Sequence, residues 1–357
     1  MRQRSGIPKI AELAGVSIGT VDRALHERPG INAATRDRIL KIAEKIGYKP
    51  NLAARSLVTG KRIRIGVCMP REIAYFYDEM WRGIEEESAR FIERGVEFVL
   101  RPVPELGVGD HEAMRELMAA TVEGIIVTPG HPKASTPLIN QAERKGIRVV
   151  CVSTDAPRSC RSSIVCVEPH LNGAIAGELM ARFVPAASKV VVITGMLDTH
   201  DHRAKADGFK DGFMRNNRCG EVLDVIEAHE SADESFRKTS DLLKNVPDLR
   251  GIYVNTVNCL PVCRALHGSG LHGKVQLIST DLFGAMVPFL EDGTIAASMH
   301  QRPFRQAQIA VRSLAEHLLH NAPLAPTQNL NPSIVLRSNL HLFREAAMDR
   351  LQSVALR

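Results

Sequence analysis

Ile10-Ala11-Glu12-Leu13-Ala14-Gly15-Val16-Ser17-Ile18-Gly19-Thr20-Val21-Asp22-Arg23 holds two short apolar stripes separated by a glycine turn. Pro8 to Ala14 predicts a helix, because proline suits a first helical turn and Ile10, Leu13 and Ala14 share a face. Gly15-Val16-Ser17 predicts a tight turn. The Ser17 hydroxyl can cap a second helix, Ile18 to His26, in which Val21 and Leu25 pack back on the first. Helix, glycine turn, helix is the helix-turn-helix layout. A third helix follows, capped by Asn32, with Ile39, Ile42, Ala43 and Ile46 as its buried stripe; Gly47 and Pro50 end it.

Charge singles out the same region. Residues 1–62 carry 13 Lys and Arg against 5 Asp and Glu, while the rest of the 357-residue chain carries 33 against 35. A basic head on a near-neutral body suits a polyanion. No basic amphipathic anchor and no run of 18 apolar residues is present, so a membrane is not an expected partner. No signal peptide is legible at the N-terminus. Seven cysteines without a CxxC pair argue against a disulfide framework and for a reduced, cytoplasmic setting.

From Ile63 the pattern changes to apolar runs alternating with helical stretches. Strands are expected at 63–69, 96–102, 124–128, 148–153, 189–194, 223–226, 251–255, 274–279 and 295–299, and helices at 77–94, 112–120 and 173–183. Continuous apolar runs imply parallel strands covered on both faces. Such sheets bind ligands at the carboxyl ends of their strands. The expected architecture is an all-α helix-turn-helix domain (1–50), a hinge (51–62) and an α/β two-lobed domain (63–357).

The head resembles the LacI family of bacterial transcription regulators. The match runs through Ile10 to Ser17, Thr20-Val21, Arg23, Thr35-Arg36, Ile46-Gly47-Tyr48-Lys49-Pro50-Asn51, Ala54-Arg55-Ser56-Leu57 and Gly60-Lys61. The resemblance implies that the second helix enters the major groove of an operator, with Ile18, Gly19 and Asp22 facing base edges and Arg23 beside them. Asp22 replaces the family's usual serine, and Gly19 has no side chain to read with. Ser17, Thr20, Asn32, Thr35, Tyr48 and Asn51 join the implied DNA contacts. Leu57 is implied to wedge into a minor-groove base step, at a cost of a few kcal/mol of unstacking.

The family's body resembles periplasmic sugar-binding proteins and responds to a small effector between its lobes. Polyols suit carboxylates and amides, with an aromatic face over the ring's C–H side. Strand-end positions put Tyr75, Phe76, Tyr77, His131, Asp155, Asn255, Asp281 and Gln301 in the candidate ligand set. Relatives carry Arg-x-x-Gly-Phe after the fifth strand; here the step reads Lys205-Ala206-Asp207-Gly208-Phe209, so Lys205 or Arg203 takes that place. Glu168-Pro169 stands where the family often has Asp-Asn.

Other motifs are weaker. Gly268 to Lys274 fits GxxxxGK, but it leaves a helix for a strand, the reverse of a phosphate loop, and reads as a turn. Asp198-Thr199-His200-Asp201-His202 has metal-ligand chemistry, but residues two apart on an irregular loop rarely converge, so a sugar-contacting or solvent loop is expected rather than a metal site. No catalytic pair or serine elbow is visible, and no cofactor is called for. The expected protein is therefore no enzyme. It is a ligand-responsive regulator, binding a near-palindromic operator as a homodimer, with a repressor as the commonest family mode. The heptad-like Met348, Leu351 and Ala355 leave a tetramer open. A sugar-acting enzyme and a ligand-free nucleoid-type binder are the rivals, and a purine is the rival effector.

Overall fold

The computed structural model describes residues 7–25, 30–46, 62–71, 74–256 and 258–343. Tyr48, Asn51, Leu57, the hinge, the side chain of Tyr75 and the segment 344–357 lie outside the described residues. The helical head and the α/β body are separate compact units and are taken in turn.

The head consists of α1 (Ile7–Ala14), α2 (Ile18–Leu25) and α3 (Ala33–Lys45). Gly15 turns the chain with φ +63°, a conformation that costs other residues a Cβ clash. The Ser17 hydroxyl accepts from the Thr20 N–H at 3.2 Å, and Asn32 Oδ1 accepts from the Thr35 N–H at 2.7 Å. Both side chains thus satisfy backbone donors that a helix start leaves unpaired. Ile10, Ala11, Ala14, Val21, Ala24, Ile39 and Ala43 form the core, with Leu25, Ile42 and Ile46 packed against it. Leu13 corrects the expected α1 stripe. It is 50% exposed, and Ala11 takes the inward position, because α2 and α3 close over the face centred on Ile10 and Ala14.

The body has two six-stranded sheets. In chain order its elements are β1 (Ile63–Cys68), α4 (Ala74–Ile92), β2 (Val96–Leu100), α5 (Asp110–Ala119), β3 (Gly124–Val127), α6 (Pro132–Arg144), β4 (Arg148–Val152) and β5 (Ser163–Val167). They continue with α7 (Pro169–Phe183), β6 (Lys189–Thr194), α8 (His200–Asn216), β7 (Glu221–Glu227), α9 (Ala232–Asn245), β8 (Leu249–Val254) and α10 (Leu260–Gly268). Last come β9 (Gln276–Thr280), α11 (Val287–Glu291), β10 (Ile295–His300), α12 (Pro303–His320), β11 (Thr327–Leu330) and β12 (Ser333–Val335).

The first sheet has the order β11-β5-β4-β3-β1-β2, all parallel. The second has the order β12-β10-β9-β8-β6-β7, parallel except for the antiparallel edge strand β12. β3 and β5 are buried throughout and β6 from its second residue on, in keeping with the apolar runs. Each sheet carries its own core, one around Met114, Ile125 and Val149, the other around Met180, Phe209 and Tyr253. The chain passes between lobes three times: from β5 to α7, from β10 to α12, and from β11 to β12. At the first passage Glu168 caps α7 by accepting from the His170 and Leu171 N–H groups, with Pro169 at the first helical position. The return helix α12 is tied to the first lobe by Arg312, which makes two bonds to the buried Glu87 carboxylate at 2.7 and 3.1 Å.

Three strands were not anticipated. β5 follows β4 through an irregular connection with no helix between, which breaks the expected alternation. β11 (Thr-Gln-Asn-Leu) and β12 are short, only partly buried edge strands that exist because a sheet edge offers them a ladder.

Candidate functional site

Two surfaces stand out, one on each unit. On the head, α2 turns Val21 and Ala24 inward and leaves Ile18, Gly19 and Arg23 exposed, with Thr20 and Asp22 half-buried. Ile18 is 55% exposed, which leaves a large apolar side chain on the same face as Arg23. Residues 18, 19, 22 and 23 thus present one outward face at helical spacing. Ser17 and Thr20 are joined hydroxyl to hydroxyl at 2.9 Å at the N-terminus of this helix, and Asn32 and Thr35 are joined at that of α3. Helix N-termini favour anions.

On the body, a cleft lies between the carboxyl ends of the two sheets. The first lobe contributes Phe76, Tyr77, Leu106, Ser153 and Thr154; the second contributes Thr199, Asp201, His202, Lys205, Glu230, Thr256, Asp281 and Gln301. Phe76 and Tyr77 meet edge to face, ring centroids 5.1 Å apart, in the first turn of α4. Ser153 and Asp281, at the ends of β4 and β9, both have positive φ, +70° and +63°. Paired strain at equivalent strand ends is the kind that persists at binding sites.

A polar chain runs along the second lobe's wall. Asp201 Oδ2 pairs with Lys205 Nζ at 2.7 Å, one turn apart on α8. Lys205 also donates to Gln301 Oε1 at 3.4 Å. The Gln301 side-chain amide donates to Asp281 Oδ2 at 2.8 Å, and its backbone N–H donates to Asp281 Oδ1 at 2.9 Å. Lys205 is fully buried, so its ammonium depends on this chain. Asp201 Oδ1 and Thr154 Oγ1 are buried in the cleft and make no hydrogen bond within the protein. Such atoms hold capacity for a polar ligand.

His202 Nδ1 accepts from the Met196 N–H at 3.1 Å, which puts the ring proton on Nε2, 3.5 Å from Glu230 Oε1. Burial, reinforced by the Lys205 charge, lowers the His202 pKa to about 4, so the ring is neutral near pH 7. Gly195 makes this meeting possible. A Cβ there would fall 1.9 Å from Glu230 Oε1 and 2.8 Å from His202 Cε1. The lobes touch through Thr199, whose hydroxyl donates to the Gly130 carbonyl at 3.0 Å.

Of the expected ligand residues, the cleft gathers Phe76, Tyr77, Lys205, Asp281 and Gln301. Four others lie elsewhere. Arg203 is exposed and not in the cleft lining, and its Nε donates to the Leu197 carbonyl at 2.8 Å. Asp155 is clamped by two bonds from Arg161 and lines a neighbouring cavity towards Cys166 and Asn329. Asn255 is fully buried, and its amide donates to the His202 carbonyl at 2.9 Å, supporting the start of α8 from behind. His131 lies outside the lining and packs on the Gly107 backbone. The segment expected as an irregular loop runs through the cap Thr199 into the first turn of α8, and the helix brings Asp201 and Lys205, one turn apart, onto the same side.

Glu230, Leu106 and Thr256 were not anticipated. Glu230 follows β7, so the strand-end rule could have found it. Its inward aim comes from two consecutive left-handed residues, His229 (φ +48°) and Glu230 (φ +55°), which no pattern signals. Among the described residues no group of three or more His, Cys, Asp or Glu is arranged to hold a metal ion, and no helix is long and apolar enough to cross a membrane.

A helix-turn-helix head on a two-lobed body with a polar cleft is the build of a DNA-binding protein with a binding-protein domain. Residues 7–51 match the model of the lacI family of bacterial regulatory proteins, and residues 65–322 match a periplasmic binding protein domain. The chain is 36% identical over 277 residues to the HTH-type transcriptional regulator AglR of Rhizobium meliloti, covering 74% of each chain. It is 22% identical over 248 residues to catabolite control protein A of Priestia megaterium, covering 69% of this chain and 72% of that one. The chain belongs to the lacI family and is a DNA-binding transcriptional regulator, not an enzyme.

Among solved structures, the body shares its fold with a Burkholderia graminis solute binding protein in complex with D-arabinose (TM-score 0.73, 22% identity, 78% of this chain and 97% of that one). The same fold appears in a Caulobacter myo-inositol binding protein bound to myo-inositol (TM-score 0.71, 19% identity, 78% and 95%).

Proposed function

We propose that this regulator binds a near-palindromic operator as a cytoplasmic homodimer and that a sugar or polyol in the interlobe cleft controls its affinity for that operator. In this reading residues 1–50 form the helix-turn-helix DNA-binding domain, 51–62 form a hinge that also touches DNA, and 63–357 bind the effector and pair the subunits. The DNA contacts are Ser17, Ile18, Gly19, Thr20, Asp22, Arg23, Asn32, Thr35, Tyr48, Asn51 and Leu57. Phe76, Tyr77, Lys205, Asp281 and Gln301 form the effector set, joined by Thr154, Asp201 and Glu230.

The carrying observation is the cleft itself. An aromatic wall faces a chain of two carboxylates, an ammonium and an amide, and buried polar atoms of Asp201 and Thr154 are left without protein partners. That combination matches a ring with an apolar C–H face and a rim of hydroxyls. The proteins of like fold, crystallised with arabinose and inositol, support the same class. An effector that binds the closed body better than the open one biases the DNA-competent state, with coupling of about 1–3 kcal/mol.

The test is a thermal-shift panel of sugars, polyols and purines on the whole protein, followed by DNA binding with and without each hit. A ligand at 100 times its Kd stabilises by about 2.7 kcal/mol. A stereospecific sugar hit that changes operator affinity is the expected result. A hit confined to purines, or none, would overturn the sugar reading. Operator binding less than roughly a thousandfold above random DNA would overturn the sequence-specific one.

A further inference from the structure

A second cavity, of about 150 Å³, adjoins the cleft, and Ser153, Thr154 and Asp201 line both. Its far walls are Asp155 and Arg161 from the β4–β5 connection, Cys166 and Glu168 from the end of β5, and Thr327 and Asn329 from β11. At about 10–15 Å³ for each water-sized group it has room for roughly ten, the size of a sugar ring with most of its hydroxyls. Arg161 makes two bonds to the Asp155 carboxylate and a third to the Pro326 carbonyl at 2.9 Å. The Glu168 carboxylate accepts from the His170 and Leu171 N–H groups. Beside these satisfied groups stand two neutral polar residues, Thr327 and Asn329, which are two apart on β11 and so share a face of that strand. Hydroxyl, amide and closed ion pair make a wall suited to a second polyol unit.

The seam between the two spaces holds unmet polar capacity. Thr154 Oγ1 and Asp201 Oδ1 are buried without hydrogen-bond partners, in residues 4% and 6% exposed. Both residues line both cavities. Thr154 is placed there by a tight turn: its N–H donates to the Val152 carbonyl at 2.9 Å across Ser153, whose φ of +70° belongs to the strained hand of the γ-turn. Asp201 is fixed through its other oxygen, which Lys205 holds at 2.7 Å. Buried polar atoms without partners are uncommon in a folded interior, and two at one seam call for a ligand there.

The geometry points to an effector of two joined units, a disaccharide or a glycoside of similar size. One ring lies against Phe76 and Tyr77 in the cleft, the second occupies the adjoining cavity, and polar groups beside the linkage bond Thr154 and Asp201 at the seam. The inference rests on the sugar reading above and narrows it to ligands longer than one ring. The single-ring ligands of the proteins of like fold mark the alternative.

The experiment titrates the intact protein, by calorimetry, with single sugars and with two-unit compounds built from them. Glucose is set beside maltose, trehalose and sucrose, galactose beside lactose and melibiose, and myo-inositol beside galactinol. A two-unit compound should bind about tenfold or more tighter than either of its units, from the added bonds at the seam and in the second cavity. Thr327→Trp and Asn329→Phe, on the exposed face of an edge strand, fill the second cavity without touching the cleft. Each should cut that advantage by about tenfold while single-sugar affinity stays within about twofold of the parent. A single sugar that binds as tightly as every compound containing it overturns the two-unit ligand and leaves the sugar reading standing. An advantage kept in both variants overturns the second cavity as the place of the second unit. No binding by any compound overturns the sugar reading, and the two-unit ligand falls with it.

Discussion

Thr199→Val tests whether the cleft closes through one hydrogen bond. The Thr199 hydroxyl donates to the Gly130 carbonyl at 3.0 Å, and both residues are buried between the lobes. Valine keeps the volume and removes the donor. In the closed form the carbonyl then loses its partner at a buried site, at a cost of about 1–3 kcal/mol. In an open form water reaches both groups and the substitution costs almost nothing. The penalty therefore falls on closure, and an effector that needs the closed form should lose about 5- to 150-fold in affinity.

Trp81 supplies the readout. It is the single tryptophan, and its indole N–H donates to the Pro70 carbonyl at 2.8 Å, with the Arg71 guanidinium 4.9 Å over the ring. It stands one helical turn beyond Tyr77 of the cleft wall, so its fluorescence should follow occupancy. The assay is a fluorescence titration with a ligand that shifts the melting temperature, paired with small-angle scattering of the free protein. The variant should scatter as a more open particle and bind more weakly. Unchanged scattering together with affinity within about twofold of the parent would refute the reasoning, because the bond's net worth would then be near zero.

Lys205→Met leaves Asp201 buried without its partner and should destabilise the body by about 3–5 kcal/mol in urea unfolding, whereas adding Asp201→Asn should restore much of the loss. Equal losses in the single and double variants would show that the pair is not the cause. His202 is neutral in the fold with a pKa of about 4 against 6.5 in an unfolded chain, so below pH 6.5 the unfolded state takes up a proton that the folded state refuses. Stability should fall by at most about 3 kcal/mol as pH drops from 6.5 towards 4, and His202→Asn should flatten that slope. Asn32→Asp preserves the cap on the Thr35 N–H and adds a negative charge at the head. Its melting temperature should hold while its affinity for specific and random DNA falls alike, whereas Asn32→Ala should also lose about 1 kcal/mol of head stability.

The head was legible because its signals are local. A glycine at φ +63°, two side-chain caps and stripes of period 3.6 act within a few residues, and each stands where the sequence placed it. Leu13 is the exception: the face it occupies depends on where α2 and α3 cross, not on its own helix. In the body, the central strands other than β5 were legible for a similar reason, since a strand covered on both faces must be largely apolar; β5 was missed because no helix separates it from β4. The edge strands β11 and β12 were not, because a partner's free N–H and C=O groups make them strands.

The cleft divides along the same line. Strand-end placement, a consequence of parallel topology, located Phe76, Tyr77, Asp281 and Gln301 from sequence alone, and the resemblance to the family's Arg-x-x-Gly-Phe step located Lys205. The same two signals also nominated Asp155, Asn255, His131 and Arg203, since position along a chain carries no direction. Only the packed structure turned Asp155 towards Arg161, Asn255 towards the His202 carbonyl and Arg203 to solvent. Only the left-handed backbone at 229–230 and the space at Gly195 brought Glu230 in. Sequence determined the class of protein and the ends of the strands, because periodicity and capping are short-range. Tertiary structure decided which side chains share the cleft, because that depends on rotamers and backbone turns that only neighbours distant in sequence enforce.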